Sequence, residues 1–272
     1  MCSHKFYISF IIIIYNILEE KYMERREFLK NILVGGIGLG IGSAFGSTLK
    51  ITAKEQTKST NIKPQIALTI DDGWFDREKM VNIVNHYQVP ANFFIIGRVI
   101  EEDPKPWINA IENGHELGCH TYFHNFFSKE TISKIDEDFS LYAKTFIDKL
   151  GNENFNNIKH FRYPYGDVGN YINKKYIESL IKAHGWDIAW WDLDLSFYHR
   201  PRFGVYKNPI QPLDKFKIYM EHMEELSMKL GRPTKTKVLM HFKYPDDLTL
   251  KDVIEYSLKR GYEIKRLSEL EA

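Results

Sequence analysis

Two aspartates stand side by side at positions 71 and 72, two histidines stand four apart at 120 and 124, and an arginine and a further histidine follow at 162 and 241. Carboxylates and imidazoles are the side chains that hold divalent metals and move protons near neutral pH. His120 and His124 would share one face if their segment turned helically, so that both imidazoles reach one cation. A carboxylate added to them makes a two-histidine, one-carboxylate site, which leaves open positions for water and substrate. In an extended backbone Asp71 and Asp72 point in different directions, so that one can bind a metal while the other stays free as a base. Each piece alone also has an ordinary reading. Asp71-Asp72-Gly73 is a common turn signal. Arg162 would serve equally as a structural ion-pair residue, and a lone histidine such as His241 is more often a satisfied core residue than a catalyst.

The elements that must position these residues can be read from the hydrophobic pattern. Short apolar runs at 65–70, 91–96, 116–118, 160–163, 187–191, 237–241 and 262–265 read as strands, β-branched or aromatic and near-continuously apolar where longest. Amphipathic stretches lie between them. The clearest covers 131–150, where Ile132, Ile135, Phe139, Tyr142 and Phe146 recur at three- and four-residue spacing. Residues 213–230 and 248–260 follow the same pattern. Such alternation predicts an α/β fold with a parallel sheet. About seven strand–helix units within residues 64–272 favour a distorted (β/α) barrel over an open sheet. In parallel folds chemistry gathers at the carboxyl ends of strands. Five of the expected strand ends carry the residues in question: Asp71 and Asp72; His120 and His124; Arg162 through Tyr165; Asp192 and Asp194; and His241.

The chain of 272 residues, 43% hydrophobic and 27% charged, can fill one or at most two domains with a sizeable core. Its 37 basic and 36 acidic residues nearly cancel, which gives no electrostatic case for nucleic acid as a partner. Of its two cysteines, Cys2 falls in a segment expected to be absent from the mature protein, and Cys119 is expected to be a buried thiol. Residues 23–46 resemble a twin-arginine export signal, with Arg25 and Arg26 followed by Phe28, Leu29 and Lys30 and a glycine-rich apolar run. Translation is expected to start at Met23, with residues 1–22 an over-extended start, and 47–63 reads as a polar linker. The folded domain is then 64–272. The partner implied is the twin-arginine translocation machinery, and the location exported, or membrane-tethered where the signal is not cleaved.

Taken in order, the five polar segments resemble the polysaccharide deacetylase family, the NodB-homology or carbohydrate esterase family 4 domain, from about Gln65 to Leu267. Val89-Pro-Ala-Asn-Phe-Phe-Ile-Ile-Gly97 and Gly114-His-Glu-Leu-Gly-Cys-His120 add to the likeness. The resemblance implies Asp72, His120 and His124 as ligands of one divalent metal, zinc ahead of cobalt, nickel, manganese or iron. It implies Asp71 as the general base, Arg162 pairing with it, and His241 as the acid for the leaving group. The backbone N–H of Tyr165 would help hold the oxyanion, and Tyr165, Trp191 and Leu239 would contact substrate. The implied activity is hydrolysis of acetyl groups from an N-acetylated polysaccharide, peptidoglycan or a related surface glycan first. An O-acetyl xylan-type esterase and a glycan-binding protein on a deacetylase scaffold are the alternatives. Two departures stand out. Ile70 replaces the family's Phe, and Phe197 and Tyr198 stand where the fourth motif has an Asp and a Trp. That acid orients the histidine or the arginine in the family, which leaves Asp192 or Asp194 as the expected substitute. Residues 197–213, with Arg200, Arg202 and Tyr206, have no clear family counterpart and are a candidate substrate-side loop.

Overall fold

The computed structural model describes residues 62–196, 198–199, 206–207, 211–243 and 246–272. The Met23 start, the signal segment, all but the last two residues of the linker, and Phe197, Arg200 and Arg202 lie outside the described residues. Among the described residues no helix is long and apolar enough to cross a membrane.

The chain alternates as its pattern predicts. Strand β1 (Gln65–Asp72) leads to α1 (Arg77–Tyr87) and β2 (Asn92–Ile95). Helices α2 (Gly97–Glu102) and α3 (Lys105–Glu112) precede β3 (Glu116–Cys119), and α4 (Ile132–Leu150) and α5 (Asn152–Asn156) precede β4 (His160–Phe161). Then follow α6 (Tyr171–Ala183), β5 (Asp187–Ile188), β6 (Leu193–Asp194), a ribbon of β7 (Tyr198–His199) and β8 (Tyr206–Lys207), α7 (Pro212–Leu230), β9 (Lys235–His241), α8 (Asp246–Arg260), β10 (Glu263–Ile264) and α9 (Leu267–Glu271). The main sheet runs β5-β4-β3-β2-β1-β9-β6, every pair parallel, with β10 beside the start of β1. All seven expected strands are present.

The strand expected over 187–191 stops at Ile188, and a further two-residue strand, β6, follows at Leu193–Asp194. β5 pairs with β4 and β6 with β9, at opposite ends of the sheet. Only four residues, 189–192, carry the chain between those ends. The sheet therefore curls until its edges nearly meet, although no ladder joins β5 to β6 among the described residues. The result is a curled, incompletely closed α/β barrel.

β1 lies at its centre with both faces covered, and so reads as an unbroken buried run from Ile66 to Ile70. Its second edge is shared: β10 pairs with Gln65 and Ile66, and β2 with Thr69 through Asp72. Asn92 fills the fork between them. Its amide donates to Leu68 O at 3.1 Å and its Oδ1 accepts from Leu267 N at 2.9 Å. Helix α4 begins where the Thr131 hydroxyl accepts from Lys134 N, and it buries Ile135, Phe139, Tyr142 and Phe146. Phe139 stacks on Phe161 of β4, their centroids 5.4 Å apart. Burying aromatic and aliphatic side chains of this size contributes about 1.5–3 kcal/mol apiece, and this face fastens α4 beside β3 and β4.

Candidate active site

The carboxyl ends of β1, β3, β4, β6 and β9 open on one pocket of about 870 Å³. Asp71, Asp72, His120, His124, Tyr165, Trp191, Leu239 and His241 all line it, and Arg162 lies buried beneath, bonded to Asp71. The sheet thus gathers these nine residues, across 171 positions from the first to the last.

Asp72 closes β1 with φ 85°. That left-handed backbone breaks the alternation of an extended strand, so both carboxylates turn toward His120 instead of diverging as expected. Asp71 Oδ2 lies 3.8 Å and Asp72 Oδ1 3.5 Å from its Nε2. The next residue is Gly73 (φ 94°), where a Cβ would come within 2.9 Å of the Trp107 ring. His120 and His124 are not on a helical turn. They sit on a loop with Thr121 at φ 65° and His124 at φ 61°. Its shape is fixed from outside: Gly97 N donates to Thr121 O at 2.8 Å, and the buried Asp138 carboxylate of α4 accepts from Tyr122 N at 2.7 Å and Phe123 N at 3.0 Å.

Three ligand atoms result. His120 Nε2 and His124 Nε2 are 3.2 Å apart, and Asp72 Oδ1 is 3.5 Å and 3.2 Å from them. Ligands at about 2.0–2.1 Å around a tetrahedral centre stand roughly 3.3–3.4 Å from one another, so the triangle has the size of a metal site. His120 Nδ1 is 2.9 Å from Arg162 O and donates to it in the neutral ring, which leaves the Nε2 lone pair for a cation. Asp72 Oδ1 is buried yet has no hydrogen-bond partner among the described residues, the condition expected of a ligand oxygen rather than a structural one. Burial opposes charge on Asp72, but the His120 and His124 imidazoles outweigh it and hold its carboxyl well below the usual range. Burial likewise opposes the His120 imidazolium, and Asp71 and Asp72 overcome it, raising that ring, whereas burial lowers His124. The electrostatics favour positive charge at the centre of the triangle. Among the described residues this is the one group of acidic, histidine or cysteine side chains that could hold a metal.

Arg162 is 1% exposed. Its Nη1 donates to Asp71 Oδ1 at 2.8 Å and to Thr69 Oγ1 at 2.8 Å, and its Nε to Ala189 O at 3.0 Å. The guanidinium lies over the Phe94 ring at 4.0 Å. Among the described residues nothing accepts from its Nη2. His241 ends β9, in register with Asp71. Its Nδ1 is 2.9 Å from Ser196 Oγ. Of the two acids expected as substitutes, Asp192 accepts from Lys237 N through Oδ2, and Asp194, which lines the pocket with His241, accepts from Ser196 N through Oδ1. Tyr165 takes φ 58°, and its ring stacks on Phe126 at 3.9 Å and lies 4.4 Å from His124. Cys119 is the buried thiol expected.

Residues 58–187 match the family model described as polysaccharide deacetylase. That segment of the chain is a polysaccharide deacetylase family domain. Among its curated relatives, a bifunctional xylanase/deacetylase of Pseudobutyrivibrio xylanivorans is 31% identical over 53% of this chain and 24% of its own length. A peptidoglycan-N-acetylglucosamine deacetylase of Bacillus cereus is 30% identical over 50% of this chain and 59% of its own. The chain therefore spans less than two thirds of either relative. A carbohydrate esterase family 4 pseudoenzyme from Bacillus anthracis has the same fold, with TM-score 0.54 and 18% identity over 77% of this chain and 66% of its own.

Several residues that shape this deacetylase-family pocket escaped the sequence reading. Thr69 and Ser196 gave no signal, because their partners lie 93 and 45 positions away. Trp74 and Phe75, on the loop after β1, also line the pocket. Asp138 did leave a trace: with Ile135, Phe139 and Tyr142 it falls on the apolar stripe of its helix, where a carboxylate needs a partner.

Proposed function

We propose that the chain is an exported, metal-dependent deacetylase of an N-acetylated polysaccharide, with peptidoglycan or a related surface glycan as its substrate class. The observation that carries the reading is one pocket holding a metal-sized triangle of Asp72, His120 and His124 beside the Asp71–Arg162 ion pair, with His241 across from it. A family fold alone cannot decide activity, since the same fold serves a pseudoenzyme, so the argument rests on the site.

A bound divalent cation would polarise the acetyl carbonyl and acidify the attacking water. Asp72, His120 and His124 would hold it. Asp71 Oδ1 is committed to Arg162, and Oδ2, turned toward the triangle, is the oxygen placed to take the proton from water. The Tyr165 backbone N–H, presented after Pro164, would donate to the oxyanion. As the C–N bond breaks, His241 would deliver a proton to the leaving amine through Nε2, its Nδ1 being held by Ser196. Trp191 and Leu239 wall the acetyl end. The exposed Phe75 and Tyr165 rings at the mouth offer flat apolar faces to sugar rings.

The test is acetate release from chitooligosaccharides, peptidoglycan and acetylxylan with zinc, cobalt, nickel, manganese and iron. Release from peptidoglycan or chitooligosaccharides supports the reading, and release from acetylxylan alone replaces it with the esterase alternative. Binding of an N-acetylated glycan with no acetate released under any metal makes the chain a binding protein. Asp71→Asn should keep metal and glycan binding and lower turnover by about 10²–10⁴-fold, whereas Asp72→Asn should lose metal first. Full turnover in Asp71→Asn refutes the assignment of the base. Export by the twin-arginine route rests on Arg25 and Arg26. Replacing both with lysine should block secretion, and unchanged secretion would mean another route.

A further inference from the structure

The family's acid is missing at position 197, yet the imidazole of His241 is not left unsupported. Ser196 Oγ lies 2.9 Å from its Nδ1. Both partners are fixed by the sheet. Leu195 N donates to Leu239 O at 2.9 Å, which pins the turn after β6 to β9. Ser196 N donates to Asp194 Oδ1 at 2.8 Å, an Asx-type turn that aims the buried serine. The main-chain N–H of His241 donates to Asp246 Oδ2 at 3.2 Å, and its residue pairs with Asp71 across β1. A hydroxyl can donate to an imidazole nitrogen or accept from it, so it holds the ring in either protonation state.

We infer that Ser196 is the positioning residue of His241: its hydroxyl fixes the imidazole by Nδ1, leaves Nε2 as the ring nitrogen free for the leaving group, and does so without adding a charge. This deepens the deacetylase reading and rests on it. A carboxylate in the same place would favour the imidazolium by charge pairing, and a hydroxyl lacks that effect.

The test uses the full, metal-loaded chain and three variants: Ser196→Ala, Ser196→Thr and Ser196→Asp. The first readout is independent of catalysis, the titration of the His241 Cε1–H signal by NMR from pH 5 to 9, assigned with His241→Gln. The second is the pH dependence of kcat for acetate release. Ser196→Ala should lower kcat roughly tenfold, the scale of one lost hydrogen bond, with KM and metal content unchanged, and Ser196→Thr should restore it. Ser196→Asp should move the His241 titration upward. The other charged groups around the ring, Asp71 on β1, Asp194 on β6, Asp246 on α8, Lys215 on α7 and Lys243 beyond β9, are unaltered in all three variants, so the shift belongs to position 196. If His241 titrates identically in wild type, Ser196→Ala and Ser196→Asp, the inference is overturned. If the titration moves with Ser196→Asp but the alkaline limb of kcat does not follow, Ser196 still positions the ring, and it is the acid role of His241 that falls.

Discussion

Asp138 offers a test in which stability and site geometry part company. It is 3% exposed and accepts from Tyr122 N and Phe123 N, the two amides at the centre of the His120–His124 loop. Burial nevertheless pushes its carboxyl up from 3.8 to about 6. At about 1.4 kcal/mol per pH unit, the charged form is then roughly 3 kcal/mol less favourable in the fold than in the unfolded chain. The sign follows from proton binding. Between about pH 4 and pH 6 the folded state keeps a proton that the unfolded chain has lost. Stability therefore falls as pH rises through that window and stays lower above it. Asn at 138 cannot titrate. It offers one acceptor oxygen in place of two and strands one loop N–H, at a cost of about 1–3 kcal/mol at every pH.

Asp138→Asn should therefore be about 1–3 kcal/mol less stable than wild type near pH 4, and equal to it or up to about 2 kcal/mol more stable at pH 7. The difference between them should change by about 3 kcal/mol across the window. Urea unfolding of the metal-free proteins at pH 4, 5, 6 and 7 measures it, and subtracting the two curves removes the other groups that titrate there. At pH 7, where the variant is no less stable than wild type, the slackened loop should still bind metal about 10–100-fold more weakly, the usual scale for losing a group behind the ligands. A stability difference constant from pH 4 to 7 would refute the titration argument. Equal metal affinity at pH 7 would refute the idea that Asp138 sets the loop for its histidines.

Two further perturbations separate backbone from substrate contacts. Gly73→Ala should destabilise the fold by about 1–3 kcal/mol, because the residue sits at φ 94° with Trp107 2.9 Å from the new Cβ; it should also weaken metal binding through Asp72, and an unchanged melting temperature would contradict this. Phe75→Ala should leave stability within about 0.5 kcal/mol, since the side chain is 67% exposed, while raising KM for oligomeric glycan and not for a small acetylated ester; equal KM changes on both would remove Phe75 from the glycan surface.

The strands and helices were legible because they follow hydrophobic period, which is local. β1 reads as a buried strand from Ile66 to Ile70 alone, and α4 from its three- and four-residue spacing. The list of site residues was legible because strand ends in a parallel sheet face one way. What failed was set by partners far along the chain. The His120–His124 loop was read only conditionally, its histidines sharing one face if it turned helically. It is instead held by Asp138 and Gly97, which no local spacing reveals. The strand expected at 187–191 stops at Ile188, because only Asp187 and Ile188 find a ladder on β4 before the chain crosses to pair Leu193 and Asp194 with β9. The contact of Ser196 with His241 was not anticipated, since serine is a residue type too common to single out without the register of β6 and β9.

The backbone gives an independent sign that this pocket is built for more than shape. Among the described residues six non-glycine positions have positive φ: Asp72, Asp76, Gln88, Thr121, His124 and Tyr165. Two of them flank α1, as N-cap and C-cap. The other four all lie at the site, on three separate strand ends. A left-handed non-glycine residue costs about 1–2 kcal/mol, and such strain persists only where the surroundings over-determine it. Here they do. Ile96 N donates to Asp72 O, His124 N to Thr121 Oγ1, and Gly166 N to Tyr163 O, each at 3.0–3.2 Å. Two of the four strained residues are proposed metal ligands, a third is the hinge between the histidines, and the fourth is the expected oxyanion donor. On the function proposed above, a cation would meet a triangle of ligand atoms already set, and substrate a backbone donor already placed.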